Sequence, residues 1–297
     1  MSNGNIKNRW FVVIGAILIQ LCLGAIYAWS VFTPSLVAAD WTKAQTQAVF
    51  AAGLALFAIV MVIAGRLLPK WGPRKLAISG GIVLGLGYLL AGLFGGTNFW
   101  SIFFFIGIIG GSGIGLAYVV PIAVGMRWFP DKKGLITGLA VAGFGFGALL
   151  WVKLAGAWGN MIANLGLSTT FTIYGIVFFA TVVIGGIWMV FPPEGWKPEG
   201  WTPPEDVKDS KVAKVANLGS SEMLRTPQYY MILLTFAFGA SAGLMSIGLM
   251  KLFPMQALTA NGMSPTVASG IAGTAMAVFF SLANGFGRIA WGAISDK

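Results

Sequence analysis

Eight separated apolar runs, at positions 10–32, 46–68, 75–95, 99–125, 134–157, 170–191, 228–250 and 266–293, set the terms on which this 297-residue chain folds. About 20 apolar residues carry a helix across the hydrocarbon core of a bilayer. In lipid, only a helix or a closed barrel satisfies its own backbone. The runs are therefore read as membrane-crossing helices, and the expected fold class is an all-α membrane protein. Composition agrees: 9% of the residues are charged, against about 25% in a soluble domain. The first run is too long, and lacks the small-residue cleavage site, to be a removable signal peptide.

The formal net charge of +10 invites a nucleic-acid reading until the charges are placed. Fifteen of the nineteen Lys and Arg residues, from Lys7 and Arg9 through Arg74, Lys75, Arg127, Lys133 and Arg225 to Lys297, fall on one side of the expected spans. Only Lys43 and Lys251 fall on the other, and Lys153 and Arg288 lie within spans. This is the asymmetry of a positive cytoplasmic face. It puts the N-terminus in the cytoplasm of a plasma or inner membrane and leaves no role for nucleic acid. Histidine is absent and Cys22 is the single cysteine, so no metal site, disulfide framework or cofactor is expected.

The segment "PPEGWKPEGWTPPEDVKDSKVAKVANLGSSEM" between the sixth and seventh runs is rich in Pro, Gly and charge and reads as a cytoplasmic linker. It divides a six-helix bundle (1–192) from a second half that begins at 226, with the linker at 193–225. "GRLLPKWGPRK" after the second run and "GAISDK" after the eighth repeat a glycine followed five residues on by a lysine. Such a repeat implies a six-plus-six transporter, of which eight of an expected twelve helices precede Lys297. A complete eight-span protein is the alternative. Gly65, Lys70, Gly72, Arg74 and Lys75, with Gly292 and Asp296, are the expected conformational or gating-loop residues.

An ionisable group inside a membrane is costly and by default a functional candidate. All nine acidic residues fall in loops or at span ends, so none is available to neutralise Arg288 in "NGFGRIAWGAISDK". A guanidinium fork without an internal counter-ion fits a carboxylate bidentately, which points to a small organic anion as partner. The competing reading is that Arg288, about two turns from the span end, snorkels or caps the last carbonyls. Asn284 stands one turn earlier on the same helix face, either to orient the guanidinium or to bond a neighbouring helix. Lys153, near the opposite end of the fifth run, is close enough to water to snorkel, with ligand binding as the alternative. Tyr27, Trp29 and Tyr118 lie well inside apolar runs, where a buried phenol or indole needs a hydrogen-bond partner; pocket lining and ordinary helix packing are both open to them. Glycines at three- and four-residue spacing in "GIIGGSGIGLAYVVP" and "GLAVAGFGFGALL" read as close helix packing, not as dinucleotide loops.

"GAIYAWSVFTPSL", "RWFPDKKGLITGLAVAGFGFGALL", "SSEMLRTPQYY" and "NGFGRIAWGAISDK", in that order along the whole chain, resemble the oxalate:formate antiporter family of the major facilitator superfamily. The resemblance implies a twelve-helix carrier that exchanges small carboxylates by alternating access. The substrate-binding arginine of the eighth helix then falls on Arg288, the asparagine before it on Asn284, and the tyrosines of helices one and four on Tyr27 and Tyr118. The chain departs from the family pattern at Ile26, in place of a glutamine, at Phe144, in place of a tyrosine, and at Pro69, in place of the acidic residue of the first loop. The first two remove polar groups from the implied pocket, which suits a monoanion with an apolar tail. The third implies that the loop's gating salt bridge is absent or altered.

The expected function is therefore exchange of small organic anions, by a protein that acts as a monomer in the bilayer. Proton-coupled monocarboxylate symport remains open, although the visible runs contain no titratable acid or histidine for it. An anion channel is the further alternative. Enzymatic function is not expected, because a bound substrate would meet no nucleophile or acid/base pair.

Overall fold

The computed structural model describes residues 8–202, 219–249 and 251–296. Lys7, Lys297 and the middle of the expected linker, 203–218, lie outside the described residues. Among the described residues, eight helices are long and apolar enough to cross a membrane. They are α1 (Trp10–Val31), α2 (Lys43–Trp71), α3 (Pro73–Gly95), α4 (Phe99–Trp128), α5 (Lys133–Ala155), α6 (Met161–Ile187), α7 (Pro227–Leu249) and α8 (Pro265–Ser295). A short helix, Leu252–Ala260, follows α7 and packs on α8.

Contacts at the helix ends show which ends lie together. Arg9, before α1, forms an ion pair of 3.0 Å with Asp131, before α5. The Trp128 indole at the end of α4 donates to the Val190 carbonyl just beyond α6, at 2.7 Å. Gly186, near the end of α6, lies against Ile78 in the first turns of α3, and Asp296, after α8, reaches the start of α5. These ends carry Arg9, Lys75, Arg127, Lys132 and Lys133 and form the basic end. At the opposite end the Trp41 indole, between α1 and α2, donates to the Thr97 carbonyl, between α3 and α4, at 2.6 Å.

Aromatic rings fill the middle of α1 to α6. Trp151 and Phe178 meet edge to face at 4.7 Å, Tyr88 and Phe178 likewise at 5.0 Å, and Phe32 packs tilted against Phe171 at 4.9 Å. The Tyr174 hydroxyl is satisfied by the Trp151 carbonyl at 2.5 Å, as burial of a phenol requires. Trp29 belongs to this packing too: it is buried, and its indole donates to the Thr46 carbonyl at 2.8 Å.

The helices depart from the sequence expectations at three places. The second helix does not end near 68 but runs through Pro69 to Trp71, so the expected loop shrinks to Gly72. Gly72 turns the chain at φ 78°, which a glycine adopts without strain, and Pro73 opens α3 at a position where its missing N–H is unneeded. The sixth helix starts at Met161 rather than near 170, with a break at Gly166 (φ 78°). The first helix tightens to 3₁₀ geometry over Gly24–Val31. There Gly24 lies so close to the Phe144 carbonyl of α5 that a Cβ would not fit.

Candidate functional site

The site is built where α8 crosses α5. Gly134 and Gly138 on α5 lie against the backbone of Gly292 and Arg288 on α8, with no room for a Cβ on either α5 glycine. Small residues allow this approach in a membrane, where apolar side chains alone give no drive to pack. The contact holds Arg288 along the inner side of α5. One turn earlier, Asn284 Oδ1 accepts from Arg288 Nε at 2.8 Å, the i, i+4 pairing that helix geometry allows. Arg288 also interacts with the phenols of Tyr27 and Tyr118. The only ion pair among the described residues is Arg9–Asp131, so no described carboxylate neutralises Arg288.

These four residues share one cavity of about 520 Å³, within the usual range for a small-molecule site. Leu54, Phe57, Ala58 and Met61 of α2 form another wall, and Phe236, Gly239, Ala240, Gly243 and Leu244 of the largely exposed α7 line the remaining side. Aromatic edges fix the phenols: Tyr27 meets Phe144 at 4.9 Å, and Tyr118 meets Phe57 at 4.9 Å and Phe144 at 5.4 Å. Phe280 approaches Tyr27 at 6.4 Å. The site is thus a guanidinium, an amide and two phenols set in an otherwise apolar chamber. It offers donors for one small anion and no acid/base pair for chemistry. All three helices that carry its polar groups are irregular: α1 is 3₁₀ through Tyr27, and π geometry widens α4 over Phe103–Gly110 and α8 over Ala275–Phe280. Such interruptions re-aim side chains and recur at functional sites.

Of the residues expected at the site, Arg288, Asn284, Tyr27 and Tyr118 come together, whereas Trp29 lies outside the cavity lining. Lys153 does not snorkel: it is 5% exposed and bonds Thr274 of α8. Phe57 and Phe280 carried no sequence signal, being phenylalanines among many. Gln20 was detectable as an isolated amide in an apolar run. It is fully buried, and its Nε2 donates to the Tyr118 carbonyl at 3.3 Å. Pro121 removes the N–H that the neighbouring Ala117 carbonyl would receive in an unbroken α4.

The loop residues divide into two groups. Lys70 and Lys75 line a shallow groove with Trp71 and Ser79 at the basic end; Gly65 has open space around it, and Arg74 follows Pro73 in the first turn of α3. On α8, Gly292 seals against Gly134. The Asp296 carboxylate accepts from the Gly134 and Leu135 N–H groups at 2.6 and 2.7 Å, so it caps an α5 N-terminus that has no side-chain cap from its own segment.

Over 293 residues the chain is 29% identical to YhjX of Escherichia coli (strain K12), an uncharacterized MFS-type transporter, covering 98% of this chain and 67% of the relative. It is 26% identical to the oxalate:formate antiporter of Oxalobacter formigenes over 307 residues, covering 100% of this chain and 65% of that protein. Monocarboxylate transporter 13 of Rattus norvegicus is 31% identical over 147 residues, 49% of this chain and 34% of the relative. The chain thus spans about two thirds of the length of the first two. With residues 9–297 matching the Major Facilitator Superfamily, and eight apolar helices long enough to cross a membrane, five of which line the cavity, the chain belongs to that superfamily of multi-pass membrane transporters.

Proposed function

We propose that this chain carries the anion site of a secondary transporter that exchanges small organic anions, oxalate- or formate-like carboxylates, by alternating access. One observation supports this most: the Arg288 guanidinium, without a described carboxylate partner, stands in a chamber whose other polar groups are Asn284, Tyr27 and Tyr118. A half-buried cation inside a membrane span favours an anionic partner, and the fork can grip both carboxylate oxygens while Asn284 holds Nε. The relative named as an oxalate:formate antiporter supports the same class of cargo. Residues 1–192 form the first bundle in this reading, 193–225 the linker and 226–297 the start of the second half. The basic end faces the cytoplasm, and the intact carrier works as a monomer. The Asp296 cap on α5 and the Gly134–Gly292 contact close the cytoplasmic side in one state and release in the other, with the Gly65–Lys75 segment as their counterpart in the first half.

A second reading, proton-coupled monocarboxylate symport, draws support from the apolar walls, which suit an organic tail, and from the monocarboxylate transporter among the relatives. Counterflow separates the two. Proteoliposomes holding the intact protein are loaded with oxalate, formate, lactate or pyruvate, and labelled uptake is followed at fixed pH with and without an uncoupler. Uptake driven by internal carboxylate and indifferent to the uncoupler is the expected result. Dependence on a proton gradient would transfer the protein to the second reading, and no carboxylate movement would refute both.

A further inference from the structure

Two cations lie buried away from Arg288, at the end of the helices opposite the basic loops. Lys153, in the last turn of α5, is 5% exposed, and Lys251, between α7 and the short helix Leu252–Ala260, is 9% exposed. Lys153 Nζ donates to Thr274 Oγ1 of α8 at 3.0 Å. Lys251 Cε lies 3.9 Å from where a Cβ on Gly273 would stand. Side chains from two different segments therefore converge on adjacent residues of α8. A threonine hydroxyl neutralises no charge, and the one ion pair among the described residues is at the basic end. Among the described acidic residues, Asp40, between α1 and α2, is the only one on this side, and it forms no ion pair. A lysine ammonium held out of water without a counter-ion is among the costlier arrangements in a protein. Thr274 itself is exposed, so the cluster is open on one side.

Position along α8 relates the cluster to the cavity. Thr274 precedes the cavity residue Phe280 by six positions and Arg288 by fourteen, or about 9 Å and about 21 Å along a helix. The cluster thus stands above the chamber, toward the end away from the basic loops.

We propose that Lys153, Lys251 and Thr274 form a second anion site at the outer mouth, which captures a small carboxylate before it descends to Arg288. The inference rests on the reading that a carboxylate is the cargo. Two flexible ammonium groups bind a carboxylate as point charges, with less geometric demand than a guanidinium fork. That suits a station that concentrates anions at the entrance and then releases them inward.

The test uses the intact protein in proteoliposomes, with Lys153→Met, Lys251→Met and the double variant, measuring KM for labelled oxalate and formate from each face. Methionine keeps the stem volume and removes the charge. The double variant is expected to raise KM about tenfold from the outer face and to leave KM from the basic face within about twofold. Unchanged outer KM, with wild-type exchange intact, would overturn the outer site alone. Wild-type vesicles that move no carboxylate would remove the reading beneath it, and this inference with it. If the double variant does not transport, equilibrium binding of labelled oxalate to Arg288→Gln protein decides: residual binding abolished by adding Lys153→Met supports the site, and absence of residual binding overturns it. A lowered Tm in the methionine variants with outer KM unchanged would mean the lysines serve packing alone. An effect confined to liposomes containing anionic phospholipid would mean a headgroup phosphate occupies the site. Either result refutes the proposal.

Discussion

Replacing Asp296 by alanine removes two acceptors from the first turn of α5 at once. The carboxylate receives the Gly134 and Leu135 N–H groups at 2.6 and 2.7 Å, and Lys132, at the cap position, supplies no side-chain bond. Loss of an aspartate N-cap costs about 0.5–2 kcal/mol. The anion's favourable position at the positive helix end adds about 0.3–1 kcal/mol where solvent screens it. Asp296 is exposed, so the combined effect on the closed arrangement of α5 and α8 is about 1–2 kcal/mol, a shift of about 5- to 30-fold in a two-state equilibrium. The assay is maleimide labelling of Ala58→Cys in the cavity wall, in a background where the buried Cys22 is replaced by alanine. Labelling from the basic face should accelerate by that factor in Asp296→Ala, and by less in Asp296→Asn, which keeps an acceptor without its charge. An unchanged rate would refute the gate. An equal rise from both faces would refute it as well, because it would mean general loosening.

Other expectations follow from the same packing. Gly138→Ala places a methyl against the Arg288 carbonyl; overpacking of this kind costs about 1–3 kcal/mol, so thermal unfolding in detergent should show a lowered Tm and counterflow should fall. Tyr27→Phe and Tyr118→Phe each remove a hydroxyl beside Arg288, at about 0.5–1.5 kcal/mol for a hydrogen bond, and should raise KM a few-fold at equal membrane abundance. Trp29→Phe leaves the Thr46 carbonyl without its indole donor, which should cost about 1–3 kcal/mol of stability while KM stays unchanged. An altered KM there would return Trp29 to the binding site.

The eight spans were legible because lipid imposes one requirement, about 20 apolar residues per helix, and the runs meet it. Arg288 was legible for the complementary reason, as a charge where charges are costly. Other features depended on interactions distant in sequence. The helix through Trp71 and the break at Gly166 depend on single backbone conformations at Gly72 and Gly166, which hydropathy does not register. Lys153 was expected to snorkel because position alone suggests reach to water, yet Thr274, 121 residues away, holds it buried. Trp29 and Tyr27 are two residues apart in one apolar run, and the 3₁₀ stretch over Gly24–Val31 sends one to Thr46 and the other to the cavity. The aromatic edges from Phe57 and Phe280 emerge only once four helices meet.

The measurement that bears most directly on the anion clamp is binding of labelled oxalate and formate to the intact protein, compared with Arg288→Lys and Arg288→Gln at equal abundance. Arg288 is half-buried, and a hydrogen bond to a charged group is worth about 1.5–3 kcal/mol, so Arg288→Gln should weaken binding by at least about 10-fold. Arg288→Lys, which keeps the charge and loses the fork, should fall between. Wild-type affinity in Arg288→Gln protein would contradict the account.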